Sequence, residues 1–337
     1  MDNLRKLLST TSVSGCEYNG SKIIEELFLK SGAEVFLDKL SNVYAVKNKD
    51  GKFKVLLDAH FDTIGLMVTK IEDGGFLRFA TVGGVDPRIL PSLEVTVHGC
   101  EDIPGVIGVK PPHLLKGDEN KAYKITELFI DTGKENDELK KIVSVGDVVS
   151  FKCGYTELLN GRIASSGLDD KLGVYMISEI LKNVNSKNVS LTAVATVGEE
   201  IGLKGAKVAG NMDEFDLCII IDVTHGTTPD AIKNRAFELG EGPVITMGPS
   251  LSKEYNKKIK EFAKEMKINL QTEVEPGNTG TNAWAYHSAK TSNPSVMISI
   301  PLRYMHTAYE VADINDINDG IKLISSFLNN QEVEENA

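Results

Sequence analysis

Strand-like and helix-like segments alternate at both ends of this chain, and a stretch rich in short strands interrupts the alternation. Between residues 72 and 161, short β-like runs lie among Gly- and Pro-containing turns with little helical periodicity. Because the alternating pattern breaks off and then resumes, the middle segment is best explained as an insertion into one α/β domain. We therefore predict the following division: an α/β domain of residues 1–71 and 162–330, an inserted β-rich domain at 72–161, and a disordered acidic tail at 331–337.

The overall charge excludes two classes of partner. The 337 residues carry a formal net charge of -11, which argues against nucleic acid or an anionic membrane as a partner. We expect no signal peptide, and no segment approaches the ~20 apolar residues of a membrane span. The four cysteines are scattered without a CxxC pair, so we expect them to be reduced and the protein to be cytoplasmic.

Histidines and carboxylates follow several apolar strands of the α/β part. In open α/β sheets the carboxyl ends of the strands form the site, so we expect these side chains to converge. A mixed set of nitrogen and oxygen ligands suits divalent zinc, cobalt or manganese. The residues are His60 and Asp62, Glu199 and Glu200, Asp222 and His306 at strand ends, and Asp169 and Asp170 at the start of a helix.

Each of these positions also has an ordinary structural interpretation. His60 could be a hydrogen-bonded core histidine, and Asp170 could cap its helix. The pair Glu199 and Glu200 could be a solvated strand end, and Asp222 could bond nearby backbone. The metal hypothesis rests on all of them occurring together.

Several motifs in this order resemble one known family. They are AHFDTIGLMV, GGVDPRIL, KITELFIDTG, GRIASSGLDDKLG, TVGEEIGLKGA, IDVTHGTTPD, GPVITMGP, GTNAWAY and IPLRYMHTAYEV. They resemble the dinuclear-metal aminopeptidases that assemble into tetrahedral particles, the glutamyl-aminopeptidase and cellulase-M-like family. The resemblance implies a mixed-sheet α/β catalytic domain of the zinc-peptidase type with an inserted small β-barrel-like domain. It also implies dimers, formed through the inserted domain, that build a homo-dodecamer admitting only peptide substrates.

The resemblance also implies two divalent metal ions (Zn, Co or Mn) and a role for each site residue. Asp169 would bridge the ions and Glu199 would be the general base, while Asp62 would orient the imidazole of His60. Family members often carry a cis peptide bond after the bridging aspartate. The remaining ligands would be His60 and Asp222 on one ion, and Glu200 and His306 on the other.

Three positions depart from the family pattern. Thr63 stands where a glutamate is common, Asn282 stands where an aspartate is common, and His225 lies in a segment that differs. We expect these departures to affect the preferred N-terminal residue rather than the reaction.

Three other classes of function share parts of this pattern. A glycoside hydrolase could use Glu199 with Asp62 or Asp170, but that scheme leaves His60, Asp222 and His306 unexplained. A non-catalytic shell protein of the same fold would be expected to have lost part of the ligand set, which is intact here. Deacetylases and carboxypeptidases share two-metal chemistry and are disfavoured by the motifs alone.

Overall fold

A computed structural model describes residues 1–111, 114, 122–152, 154–229, 231–232, 235–290 and 292–331. All of the predicted acidic tail except Gln331 lies outside these residues. The helices are α1 (Asp2–Leu8), α2 (Tyr18–Leu29), α3 (Asn136–Ile142), α4 (Leu168–Asn183), α5 (Lys204–Ala209), α6 (Lys253–Glu265), α7 (Asn282–His287) and α8 (Ile314–Asn329). The strands are β1 (Glu34–Leu37), β2 (Val43–Lys47), β3 (Phe53–His60), β4 (Gly65–Ile71), β5 (Phe76–Val82), β6 (Glu94–His98), β7 (Asp102–Gly108), β8 (Phe129–Asp131), β9 (Val148–Phe151), β10 (Thr156–Glu157), β11 (Arg162–Ser165), β12 (Val189–Thr196), β13 (Leu217–His225), β14 (Val244–Met247), β15 (Gln271–Val274), β16 (Ser295–Leu302) and β17 (Glu310–Asp313).

Eight strands form one mixed sheet in the order β1-β2-β12-β3-β13-β16-β14-β15. The four central strands β12, β3, β13 and β16 are mutually parallel, so their carboxyl ends share one edge. The flanking strands β2 and β14 run antiparallel to their inner neighbours. The predicted α/β class with a mixed sheet is confirmed.

Helices cover both faces of this sheet. Along β13, Ile219 and Ile221 pack on the face covered by α4 and α8, whereas Cys218 and Ile220 pack on the face covered by α5 and α7. Because side chains alternate along a strand, Asp222 has the parity of Ile220 and lies on the α5–α7 side. The apolar runs of the sequence are therefore strands buried on both faces.

A second unit is a closed antiparallel barrel of β4, β5, β8, β7, β6 and β9. Its core contains fully buried side chains such as Leu66, Val97 and Val149. Its first strand begins at Gly65, ahead of residue 72, where we predicted the insertion to start. Only four residues separate β3 in the sheet from β4 in the barrel. Because the sequence stays apolar across this connection, no change in composition marks the start of the barrel.

No helix among the described residues is both long and apolar enough to cross a lipid bilayer.

Candidate metal centre

The candidate ligands lie at the carboxyl edge of the four parallel strands. His60 ends β3, Glu199 and Glu200 follow β12, and Asp222 lies near the end of β13. His306 follows β16, and Asp169 lies in the first turn of α4. The shared strand direction thus collects side chains that are up to 246 positions apart in the sequence (306 − 60).

Two groups of side chains have the geometry of cation sites. The ligand atoms of His60, Asp169 and Asp222 lie within 4.8 Å of one another, and so do those of Asp169, Glu200 and His306. Asp169 belongs to both groups. Its Oδ1 lies 3.1 Å from Nε2 of His60, and its Oδ2 lies 3.4 Å from Nε2 of His306.

The charges of the site fit two cations. Burial raises the pKa of Asp222 to about 8 and the pKa values of Glu199 and Glu200 to about 7, and the nearby Asp169 carboxylate adds to each shift. These carboxylates therefore repel one another unless positive charge is bound between them. The donor set, one imidazole and two carboxylates in each group, suits a divalent transition metal.

The acidic surroundings favour the protonated forms of both site histidines. Burial lowers the pKa of His60, but the interactions with the carboxylates of Asp169, Asp62 and Glu199 together outweigh it, so the net pKa lies well above the ordinary value. The hydrogen bond with Asp169 likewise raises the pKa of His306 to about 9. Because a ligating imidazole must be neutral, metal binding at these residues would release protons.

The environment of Asp62 differs in detail from the predicted one. Nδ1 of His60 contacts the main-chain oxygen of Asp62 at 3.1 Å, whereas the nearer carboxylate oxygen lies 3.6 Å away. The carboxylate instead accepts hydrogen bonds from the Ser14 hydroxyl at 2.6 Å and from the main-chain N–H groups of Glu199 and Glu200 at 2.9 and 3.2 Å. Asp62 therefore holds the turn that carries both glutamates.

Glu310 is a buried residue of the site that the sequence analysis missed. Its side chain accepts hydrogen bonds from the main-chain N–H groups of Asp169 at 3.2 Å and His306 at 3.1 Å. It is 2% exposed, and burial raises its pKa well above the ordinary value. A glutamate in the otherwise apolar start of β17, four residues after His306, is the signal that could have identified it.

The barrel also reaches the site. The main-chain oxygen of Gly84, in the loop after β5, lies 3.2 Å from Nδ1 of His306. A Cβ atom at Gly84 would lie 2.7 Å from the same nitrogen, so a larger residue there would displace the His306 ring. This contact fixes which imidazole nitrogen faces Asp169.

The other predicted positions lie around this centre. The peptide bond between Asp169 and Asp170 is cis. Asp170 belongs to neither group, and its Oδ1 accepts the N–H of Gly173 inside α4. Asn282 is buried and donates to the Thr196 hydroxyl at 2.8 Å.

Both groups open into one cavity of about 560 Å³. Its walls include His225. They also include Glu273, on the edge strand β15, and Glu275, which follows that strand. Thr63 lies in a neighbouring cavity between the barrel and the N-terminal segment. Of the three departures from the family pattern, only His225 lines the cavity of the metal groups.

Comparison with known proteins gave consistent results. Residues 41–323 match the family model described as M42 glutamyl aminopeptidase. The chain is 34% identical over 333 residues to a lysyl aminopeptidase of Pyrococcus furiosus, covering 96% of this chain and 95% of the relative.

Two solved structures share the whole architecture. A TET aminopeptidase from a marine sediment archaeon of the Thaumarchaeota has a TM-score of 0.93 at 27% identity, covering 99% of this chain and 97% of that one. The TET1 peptidase of Pyrococcus horikoshii has a TM-score of 0.87 at 30% identity, covering 98% and 99%, and is described as assembling into a tetrahedron or a large octahedral shell.

Proposed function

The chain belongs to the M42 glutamyl aminopeptidase family, and we propose that it removes N-terminal residues from peptides with two divalent metal ions bound. The observation that carries this proposal is the sharing of Asp169 between two histidine–carboxylate groups in one cavity. A carboxylate between two such groups suits a pair of ions acting on one substrate.

The proposed ligands divide into two sets. His60 and Asp222 would hold one ion, Glu200 and His306 would hold the other, and Asp169 would bridge them. When bound, two such ions lower the pKa of water and polarise the peptide carbonyl. Zinc, cobalt and manganese all accept these donors.

Glu199 would move the proton. Its main-chain N–H is fixed by Asp62, which aims the residue into the cavity that it lines. Burial raises the pKa of its carboxyl to about 7 in the metal-free chain, and a group that titrates near neutral pH can both accept and donate a proton. We propose that Glu199 accepts a proton from the attacking water and passes it to the leaving amine.

A chelation and restoration experiment tests the proposal. We expect the chelated protein to be inactive and to regain hydrolysis of aminoacyl-anilides on addition of Zn²⁺, Co²⁺ or Mn²⁺. N-acetylated versions of the same substrates and carboxymethylcellulose should remain uncleaved. Cleavage of cellulose alone, or equal cleavage of acetylated substrates, would contradict an aminopeptidase.

We also propose that the barrel is the inserted domain, with its start moved to Gly65, and that it mediates dimers which build a dodecameric shell. The shell-forming TET1 peptidase of Pyrococcus horikoshii, which covers nearly the whole chain, supports this. Native mass spectrometry of the full chain should show twelve copies, and a stable monomer at micromolar concentration would contradict it.

The preferred N-terminal residue does not follow from the relatives. The family description names glutamyl substrates, whereas the relative from Pyrococcus furiosus is named for lysyl substrates. The preference must therefore be derived from the walls of the cavity.

A further inference from the structure

One wall of the metal-site cavity is acidic. Glu273 lies on the edge strand β15 and Glu275 follows directly after it, and both line the cavity. These two carboxylates belong to neither candidate metal group, so the proposed reaction leaves them without a role.

The carboxylate of Glu273 is held in one orientation. Thr224 donates its hydroxyl to Oε1 at 2.8 Å, and Thr246 donates its hydroxyl to Oε2 at 2.8 Å. Both threonines are buried, at 5% and 1% exposure. An ionised carboxylate has about four acceptor positions, so these two bonds leave free acceptor positions on a side chain that lines the cavity.

Among the described residues, no cationic side chain neutralises the negative charge of this wall. Within the same residues, no lysine or arginine lines the cavity and no ion pair involves Glu273 or Glu275. Hydroxyl donors orient a carboxylate but do not cancel its charge. A cationic group that enters the cavity therefore gains attraction in a partly desolvated place.

The acidic wall is far enough from the candidate metal groups to meet the end of a long substrate side chain. Thr224 follows Asp222 by two positions on β13, and residues with this spacing lie about 6.6 Å apart on one face of a strand. Glu273 bonds to Thr224, so its carboxylate lies one side-chain length beyond a candidate metal ligand. A substrate whose terminal residue is held at the ions would reach this carboxylate with a long side chain.

We propose that Glu273, with Glu275 beside it, makes the enzyme select peptides whose N-terminal residue is lysine or arginine. This inference rests on the aminopeptidase function proposed above. An N-terminal glutamate would meet two carboxylates of its own sign and would be a poor substrate.

The test compares substrates that differ in charge and hardly in shape. With metal restored, kcat/KM is measured for lysyl-, norleucyl- and glutamyl-p-nitroanilide. We expect lysyl to exceed norleucyl by about tenfold or more, as for a hydrogen bond to a charged group, and glutamyl to be the slowest. Equal or faster cleavage of the norleucyl or glutamyl substrate would overturn the proposal.

A variant then assigns the preference to Glu273. Glu273→Gln should reduce the lysyl-to-norleucyl ratio by about tenfold, whereas the matched control Glu265→Gln, on the exposed face of α6, should keep the ratio. If Glu273 merely supported the fold or bound the terminal amine, both substrates would slow together and the ratio would stay constant. That result would overturn the role of Glu273.

A binding measurement avoids dependence on catalysis and on the variant. Calorimetry on the wild-type protein should show tighter binding of L-lysinol than of L-norleucinol, with the difference shrinking as salt rises. Equal binding at low salt would overturn the proposal. Failure of the aminopeptidase function itself is distinguishable, because then no free-amino anilide would be cleaved with metal bound.

Discussion

Two adjacent glutamates at the end of β12 are proposed to do different work. The N–H groups of Glu199 and Glu200 both donate to the Asp62 carboxylate, so one anchor fixes two successive side chains. Glu200 belongs to a metal group and Glu199 does not. Within the described residues the Glu199 carboxylate has no salt-bridge partner, so it is available to exchange protons.

The first prediction separates these roles. Glu199→Gln should lower kcat by about 10²–10⁴-fold, the usual contribution of a general base, while the bound metal, measured by elemental analysis, stays at the wild-type level. Glu200→Gln should instead lower the metal content. A Glu199→Gln protein with nearly full kcat would remove Glu199 from the mechanism.

The second prediction concerns Glu310, whose side chain contacts the main chain of two proposed ligands. Glu310→Gln replaces one acceptor with a donor that faces a main-chain N–H of Asp169 or His306. We expect metal affinity to fall about 10–100-fold, as for other residues that orient ligands. Competition with a chromophoric chelator measures this, and Glu265→Gln is the exposed control. Unchanged affinity would show that Glu310 is only a packing residue.

At the level of elements, Asn42 ties down the loop that carries the two glutamates. Its Oδ1 accepts the N–H of Val197 at 3.0 Å, and its amide nitrogen donates to the Gly205 oxygen at 3.3 Å. Asn42 is fully buried. Its bonds to Val197 and Gly205 hold the loop before and after the turn, and its amide nitrogen also donates to Asp38. The loop is therefore fixed to the start of β2 as well as to Asp62.

The third prediction follows from this attachment. Asn42→Ala leaves a buried donor and acceptor without partners, so the free energy of unfolding should fall by about 1–3 kcal/mol. Urea unfolding of the chelated protein measures the change. Asn19→Ala, exposed on α2, should change it by less than about 0.5 kcal/mol. Equal effects of the two substitutions would refute the role of Asn42.

The fourth prediction is a pH dependence of stability. Burial raises the pKa of Asp316 on α8 from 3.8 to about 6, although its carboxyl accepts the N–H groups of Gly240 and Gly242. The folded chain thus binds this proton more tightly than the unfolded chain. The resulting stabilisation is complete below about pH 4 and is lost as the pH rises through about 6.

A comparison with Asp316→Asn isolates the effect. The unfolding free energy of the wild type minus that of the variant should decrease by up to about 3 kcal/mol between about pH 3 and pH 7. Asp73→Asn, exposed between β4 and β5, provides the control, since its difference from the wild type should not follow this curve. A wild-type difference that rises with pH would show that the sign is wrong.

The sequence predicted the elements better than the contacts between them. The runs that end in His60, Glu199 and Asp222 are strands because their apolar residues match burial on both faces, and parallel strands must share an edge. Glu310 and Asn42 were missed because each acts through main-chain groups that are far away in the sequence. The sequence also could not predict which atom of Asp62 faces His60, because residue identity does not specify the hydrogen bonds of a turn.

At the scale of the whole molecule, the barrel and the α/β sheet jointly make the site. Gly84, in the loop after β5, contacts His306 of the sheet domain, so the barrel contributes directly to the site. The barrel's first strand begins only four residues after β3. The amino-acid composition therefore does not show where the barrel starts.

We propose that two ions, shared through Asp169, make this chain a peptidase. The most direct measurement adds Zn²⁺, Co²⁺ or Mn²⁺ stepwise to the chelated full-length protein while recording bound metal and hydrolysis of a free-amino anilide. We expect no hydrolysis without metal. As metal is added, the rate of hydrolysis should rise and then stop rising at two bound ions per chain. Full activity without bound metal, or a plateau at a single ion, would contradict it.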